Sequence, residues 1–152
     1  MAVRALRATR ADQVAYRRIV VPLGDEESEL GVALAAELAP EAGAAITTVV
    51  VIEVPAELPL DAHMEDDEAL ARRAVEQADA IAAARGVRLR SRIVRARARG
   101  EAIVAEAEVA DADLIVVRSP RRPGKALFGK TVDYVLKNAP CRVMVAAGKK
   151  AA

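Results

Sequence analysis

Short apolar runs alternate along this chain with stretches whose apolar residues recur every three or four positions. Ile19-Val20-Val21-Pro22-Leu23 is the first run, and it stops at Gly24-Asp25, a loop signal. Asp25, Glu26, Glu27 and Ser28 then supply negative charge and caps for a helix with Leu30, Leu34 and Leu38 on one face, closed by Pro40 and Gly43. Ile46 to Ile52 is β-branched throughout with no polar alternation, the pattern of a strand covered on both faces. Pro55 to Met64 reads as a loop. A helix follows, opened by Glu65-Asp66-Asp67-Glu68, striped by Leu70, Ala74, Ala78 and Ile81, and ended at Gly86.

Val87 to Ile93 alternates apolar residues with arginines, which predicts an edge strand with one face to the core and an arginine face to solvent. Gly100 precedes a helix carrying Ile103, Val104 and Ala107, and Leu114 to Val117 is another buried strand. After a basic loop from Arg118 to Lys125, Thr131 to Ala139 is helical with Val132, Val135, Leu136 and Ala139 on one side. Val143 to Ala146 is the last strand. Five strands separated by helices predict an α/β fold: an open five-stranded parallel sheet with right-handed crossovers and helices on both faces. Ligands in such sheets bind beyond the carboxyl ends of the strands where strand order reverses, so the loops after Leu23 and after Val117 are where a site belongs.

Length and composition narrow the class. At 152 residues the chain is one domain, with residues 1–16 expected as a basic N-terminal tail, 17–148 as the folded unit and 149–152 as a C-terminal tail. Apolar residues make up 53% and charged residues 30%, which excludes a disordered or collagen-like chain. The net charge of +1 gives no global field toward nucleic acid or membrane, and the 2% aromatic content leaves no stacking residues among the arginines to point to nucleic acid. Cys141 is the one cysteine and His63 the one histidine, so neither a disulfide nor a zinc cluster is expected, and the setting reads as a reducing cytoplasm. Asp61, Glu65 and Asp66 beside His63 read as an acidic helix opening. Ser28 and Ser119 have no histidine partner at any useful spacing, so no catalytic machinery is expected and the chain reads as a binding protein, not an enzyme.

One string matches a phosphate-cradling loop: Gly124 to Thr131 satisfies G-x-x-x-x-G-K-[ST]. Six residues, including Pro120 and Pro123, separate it from Val117, Leu127 and Phe128 fill its interior, and no later strand follows to carry a magnesium-organising aspartate, so it does not read as a nucleotide triphosphatase. The same residues carry a different resemblance. Asp113-Leu114-Ile115-Val116-Val117, a basic loop, Gly129-Lys130-Thr131-Val132 and then Ala139-Pro140-Cys141-Arg142-Val143-Met144-Val145 resemble the ending of the universal stress protein family. Ile19 to Leu23 is similar to that family's first strand, and Gly100-Glu101-Ala102-Ile103 to the G-x-x-I opening of its third helix.

The resemblance implies the five-stranded fold already read from the pattern, dimerisation through the last strand (Cys141 to Ala146), and binding of ATP, AMP or a cyclic adenine nucleotide. Its implied cofactor-binding residues are Gly24, Asp25, Val51, Arg118, Ser119, Arg121, Gly129, Lys130 and Thr131. This chain departs from the nucleotide-binding pattern at several of them. Arg118 and Arg121 stand where two glycines belong, the stretch to Gly129 is shorter than the motif requires, Lys130 takes the hydroxyl position, and Gly24 replaces the acid that faces adenine. The basic side chains still crowd a helix N-terminus, which favours anions. Val51 to Pro55 and Leu58 to Ala62 are similar to versions appended to amino acid and cation transporters, which implies a regulatory domain with a membrane transporter as partner. A second basic cluster, Arg85, Arg88, Arg90, Arg92, Arg95, Arg97 and Arg99, reads as edge protection, or as a surface for an acidic partner.

Overall fold

The computed structural model describes residues 16–24, 28–39, 44–119 and 128–147. Strands β1 (Arg18–Leu23), β2 (Ala45–Glu53), β3 (Leu89–Ala96), β4 (Leu114–Ser119) and β5 (Arg142–Ala147) form one parallel sheet in the order β3-β2-β1-β4-β5. Helices α1 (Ser28–Leu38) and α2 (Glu65–Ala84) cover one face, and α3 (Arg99–Val109) and α4 (Lys130–Asn138) cover the other. Strand residues alternate between the two cores. Ile19, Val21, Leu23, Ile46, Leu114 and Val116 pack toward α1 and α2, while Val20, Val49, Val51, Ile115 and Val117 pack toward α3 and α4. Burial on both faces is why β2 and β4 read as unbroken apolar runs.

The predicted helix stripes are rotated in two places. Leu30 is 48% exposed and Leu70 60% exposed, while Val32, Ala35, Ala71, Ala78 and Ala82 are buried. The cause on α1 is close approach: a Cβ on Gly31 would lie 3.1 Å from Val21 Cγ1, so the helix meets the sheet at its small residues and Leu30 turns outward. Leu136 on α4 is likewise exposed. Tyr16, assigned above to the N-terminal tail, packs against the α1–α2 core.

The edge strand is also more mixed than its alternation predicts. Ile93 is exposed and Val94 and Ala96 pack into the α3–α4 core, so the apolar and arginine faces exchange halfway along β3. Arg92 pairs with Glu106 of α3 on one face and Arg95 with Glu68 of α2 on the other. Each helix supplies an acid to the face it covers, which lets both faces carry an arginine. No helix among the described residues is long and apolar enough to cross a membrane.

Candidate functional site

From β1 the chain steps outward through β2 to β3, then returns across the sheet to β4 on the other side of β1. The connections leaving β1 and β4 therefore diverge, and a crevice opens between their carboxyl ends. Pairing shows where it begins. The ladder between β1 and β2 runs on to Leu23 and Val50, whereas the ladder between β1 and β4 holds Ile19 with Leu114 and Val20 with Ile115 and goes no further. Pro22, which has no N–H to give, stands just past that point.

Gly24 ends β1 at φ +151°, a conformation that side chains rarely adopt. The Arg99 guanidinium lies over it: a Cβ at position 24 would sit 2.7 Å from Nη2, 3.1 Å from Cζ and 3.4 Å from Nη1. The Arg99 backbone N–H donates to Glu53 Oε1 at 2.8 Å, which anchors the start of α3 to the end of β2. The sequence reading missed this role, because Arg99 was grouped with the arginines of the edge strand. Its signal was position. Arg99 stands directly before Gly100, where the chain leaves β3 for a helix at the carboxyl edge of the sheet.

The other candidates are placed as follows. Val51 is buried in β2 on the α3–α4 face. Ser119 ends β4 and is buried, and alternation from Val117 puts it on the same face. Arg118, half-buried, alternates with Val116 toward the α1 face, so Ser119 and Arg118 address opposite sides of the sheet. Gly129 is the N-cap of α4 with extended backbone and no side-chain cap, and Lys130 and Thr131 open the helix. The opening N–H groups of α4 thus stand at the carboxyl edge, where they favour negative charge. Neither the Gly129 backbone angles nor any neighbour within 4 Å demands glycine there. Asp25 and Arg121 lie outside the described residues, as does the string from Gly124 to Leu127.

Beside the crevice, an open groove of about 440 Å³ is lined by Glu53, Val54, Pro55, Ala56 and Arg97. Arg97 shapes it by donating to the carbonyls of Val54, Pro55 and Leu58, which ties down the loop after β2. Arg95 does the same further along, donating to the carbonyl of Ala62 at 2.7 Å and pairing with Glu68. Desolvation pushes the Glu68 carboxyl up, but the Met64 backbone and that pair with Arg95 together hold it below its ordinary range. Arg92, Arg95 and Arg97 are therefore engaged within the chain, while Arg85, Arg88 and Arg90 are exposed. Cys141, half-buried at the start of β5, has its thiol pushed up by burial and by the charge of Asp113.

No curated protein matches the chain. Among solved structures it is similar to a universal stress protein from Archaeoglobus fulgidus, with 24% identity over 86% of this chain and 98% of that one and a TM-score of 0.72. The universal stress protein from Archaeoglobus fulgidus in complex with dAMP aligns with 21% identity over 87% of this chain and 98% of that one, at a TM-score of 0.68. A universal stress protein family protein from Arabidopsis thaliana with AMP bound aligns with 16% identity over 87% and 92%, at 0.61. At these identities the likeness shows the fold. The model of the Universal stress protein family matches residues 15–147, nearly the whole chain, and the chain belongs to that family.

Proposed function

We propose that the chain is a regulatory binding domain that takes an adenine nucleotide in the crevice between the ends of β1 and β4. The observation that carries this reading is the early end of the β1–β4 ladder, which opens the sheet at Leu23–Gly24 and Ser119 while every other neighbouring pair stays closed to its strand ends. The opening N–H groups of α4 and the charge of Lys130 suit the phosphates. Relatives of the same fold hold dAMP and AMP, which supports an adenine nucleotide as the class of ligand. The reading takes the domain to act by occupancy, as a binding domain whose ligand shifts the stability of its native state.

Thermal unfolding against ATP, AMP and cyclic AMP, with and without magnesium, tests the reading. A ligand that binds the native state alone adds about 2.7 kcal/mol of stability at a concentration of a hundred times Kd, and so raises Tm by mass action. No shift with millimolar concentrations of any of them would overturn it.

Two partner proposals accompany this one. β5 stands at an edge of the sheet with one side unpaired by any described strand, which supports a homodimer built on that strand. Sedimentation of the wild type and of Val145→Arg tests it, with a monomeric wild type as the adverse result. The second reading of function, a nucleotide-independent module docking an acidic partner such as a transporter segment, draws on exposed Arg85, Arg88 and Arg90 around the β3 edge. It predicts salt-sensitive association that Arg88→Glu with Arg90→Glu abolishes.

A further inference from the structure

We propose that the outer edge of β3 binds an extended acidic peptide segment, which adds to the sheet as a further strand. The inference rests on the second reading above, in which the β3 edge docks an acidic partner, and adds the form of that partner and the groups that hold it. β3 is the outermost strand on its side, and no described strand pairs with its outer edge. Sheets usually blunt such an edge with a short strand, a proline, a bulge or a cover. None of these protects β3: its eight residues pair one for one with residues 46–53, include no proline, and are exposed from 90 to 93. The Ala96 carbonyl accepts from the Val54 N–H on the β2 side, and the Arg90 carbonyl meets Thr48 Oγ1 of β2. Successive residues of a strand point their backbone groups opposite ways, so the N–H and C=O groups of Ser91 and Ile93 point outward.

Side chains on the two faces of this edge set the chemistry of the partner. Arg92 pairs with Glu106 on the α3 face, and alternation puts Arg90 on that face too, exposed and with no ion pair among the described residues. On the α2 face Ile93 is 44% exposed and lines an open groove of about 280 Å³ with Ile52, Glu68, Arg72 and Arg95. Arg95 neutralises Glu68 there, and Arg72, exposed and likewise without an ion pair among the described residues, leaves the groove positive. A strand of alternating acidic and apolar residues satisfies both faces. Its acids meet Arg90 and Arg92, and its apolar side chains lie along Ile93 toward Ile52. The same charges turn other occupants away. A second copy of β3 would bring arginine against arginine, and residues 1–10 of this chain carry Arg4, Arg7 and Arg10 with no acid.

Fluorescence anisotropy of the full chain with labelled peptides of about seven residues, a usual strand length, tests the proposal. The probes are alternating glutamate and valine, alternating lysine and valine, the glutamate and valine composition arranged in two blocks, and the alternating acidic peptide with every backbone nitrogen methylated. The last keeps its charge and has no N–H with which to pair. The expected result is that the alternating acidic peptide binds and the other three bind more weakly by about tenfold or more. Ile93→Pro removes one outward N–H while Arg92 and Val94 keep their bonds to β2, and it should weaken binding by about tenfold or more, as should Arg90→Glu. Arg142→Glu, at the opposite edge of the sheet, should change nothing. Bound peptide should slow amide exchange at Ser91 and Ile93 and leave Arg90 and Arg92 as they were. Equal binding by the block or methylated peptide, lost in Arg90→Glu, keeps the acidic docking surface and overturns strand addition alone. Full affinity in Ile93→Pro, or unchanged exchange at Ser91 and Ile93, also overturns strand addition alone. No binding by any acidic peptide, or tighter binding by the lysine form, overturns both this inference and the reading beneath it. Circular dichroism and Tm of each variant report its fold, and Ile93→Asp, which sets a like charge against the peptide, serves if Ile93→Pro is unfolded.

Discussion

Gly100 lies directly against Tyr134, with the space for a Cβ only 2.9 Å from both Cβ and Cδ1 of the tyrosine. The contact joins the start of α3 to the middle of α4, the two helices that cover one face of the sheet. The nearest obstacle includes Tyr134 Cβ, which is tied to its backbone and moves little. Gly100→Ala should therefore destabilise the fold by about 1–2 kcal/mol, since overpacking of about 1–3 kcal/mol outweighs the roughly 0.5–1 kcal/mol that alanine gains in a helix. Urea denaturation measures it. A variant as stable as the wild type would show that α3 and α4 part without cost.

This contact explains what was legible in the chain and what was not. The pattern G-x-x-I at Gly100 to Ile103 was visible, and so was the succession of five strands and their helices along the chain, because the sheet is buried on both faces and its strands are apolar runs separated by glycine and proline; the lateral order of the strands was not. Helix rotation was hidden, since Leu30 and Leu70 fit the expected stripe by spacing, yet the helices meet their neighbours through Gly31 and small alanines. The fate of the arginines was hidden for a related reason. Spacing along β3 shows which face a side chain takes but not that α2 brings Glu68 to Arg95, or α3 brings Glu106 to Arg92. Arg99 over Gly24 joins residues far apart in sequence, and no local pattern reports such a pair.

Gly24→Ala should cost about 1–3 kcal/mol, chiefly from the positive φ, because the Arg99 guanidinium it meets is the far end of a flexible side chain and can shift. In an Arg99→Ala background the backbone strain stays, so a double-mutant cycle should return additivity to within about 0.5 kcal/mol. A larger coupling would show that the guanidinium is held in place over Gly24.

Asp113 accepts the backbone N–H groups of Arg17 and Arg18 at 2.8 and 3.1 Å, and its own N–H donates to the Arg18 carbonyl. It closes the β1–β4 pair at the end opposite the crevice. Asp113→Ala should lower stability by about 1–2 kcal/mol, the charge-assisted bonds being discounted for their exposure. Chemical denaturation reads this directly, and an unchanged midpoint would count the two bonds as replaceable by water.

The Cys141 thiol is pushed above its ordinary value of 9.0, first by burial and then by the negative charge of Asp113. A raised folded-state value means that the unfolded chain ionises first, so stability is full below about pH 9 and falls as pH rises beyond it. The thiolate is the nucleophile, so alkylation of the native chain should be slower than that of the unfolded chain at about pH 8. Asp113→Asn should speed it by removing one cause. Equal rates for native and unfolded protein would refute the shift.

Glu68 makes the opposite case. Desolvation pushes its carboxyl up, but the Met64 backbone, Arg95 and, more weakly, His63 together hold it below its ordinary value of 4.5. A depressed folded-state value gives a contribution that is complete above about pH 4.5 and disappears as pH falls through the lower folded value. The wild type should therefore lose stability between about pH 5 and pH 3 more steeply than Glu68→Gln, whose amide accepts a hydrogen bond from Arg95 but does not titrate. Arg95 also holds the Ala62 carbonyl, so in acid the loop before α2 should loosen first, and proteolysis or amide exchange at 59–63 should rise before global unfolding. Parallel acid denaturation curves for the two proteins would mean that the pair, although half-buried, is worth no more in the native chain than its parts are in the unfolded one.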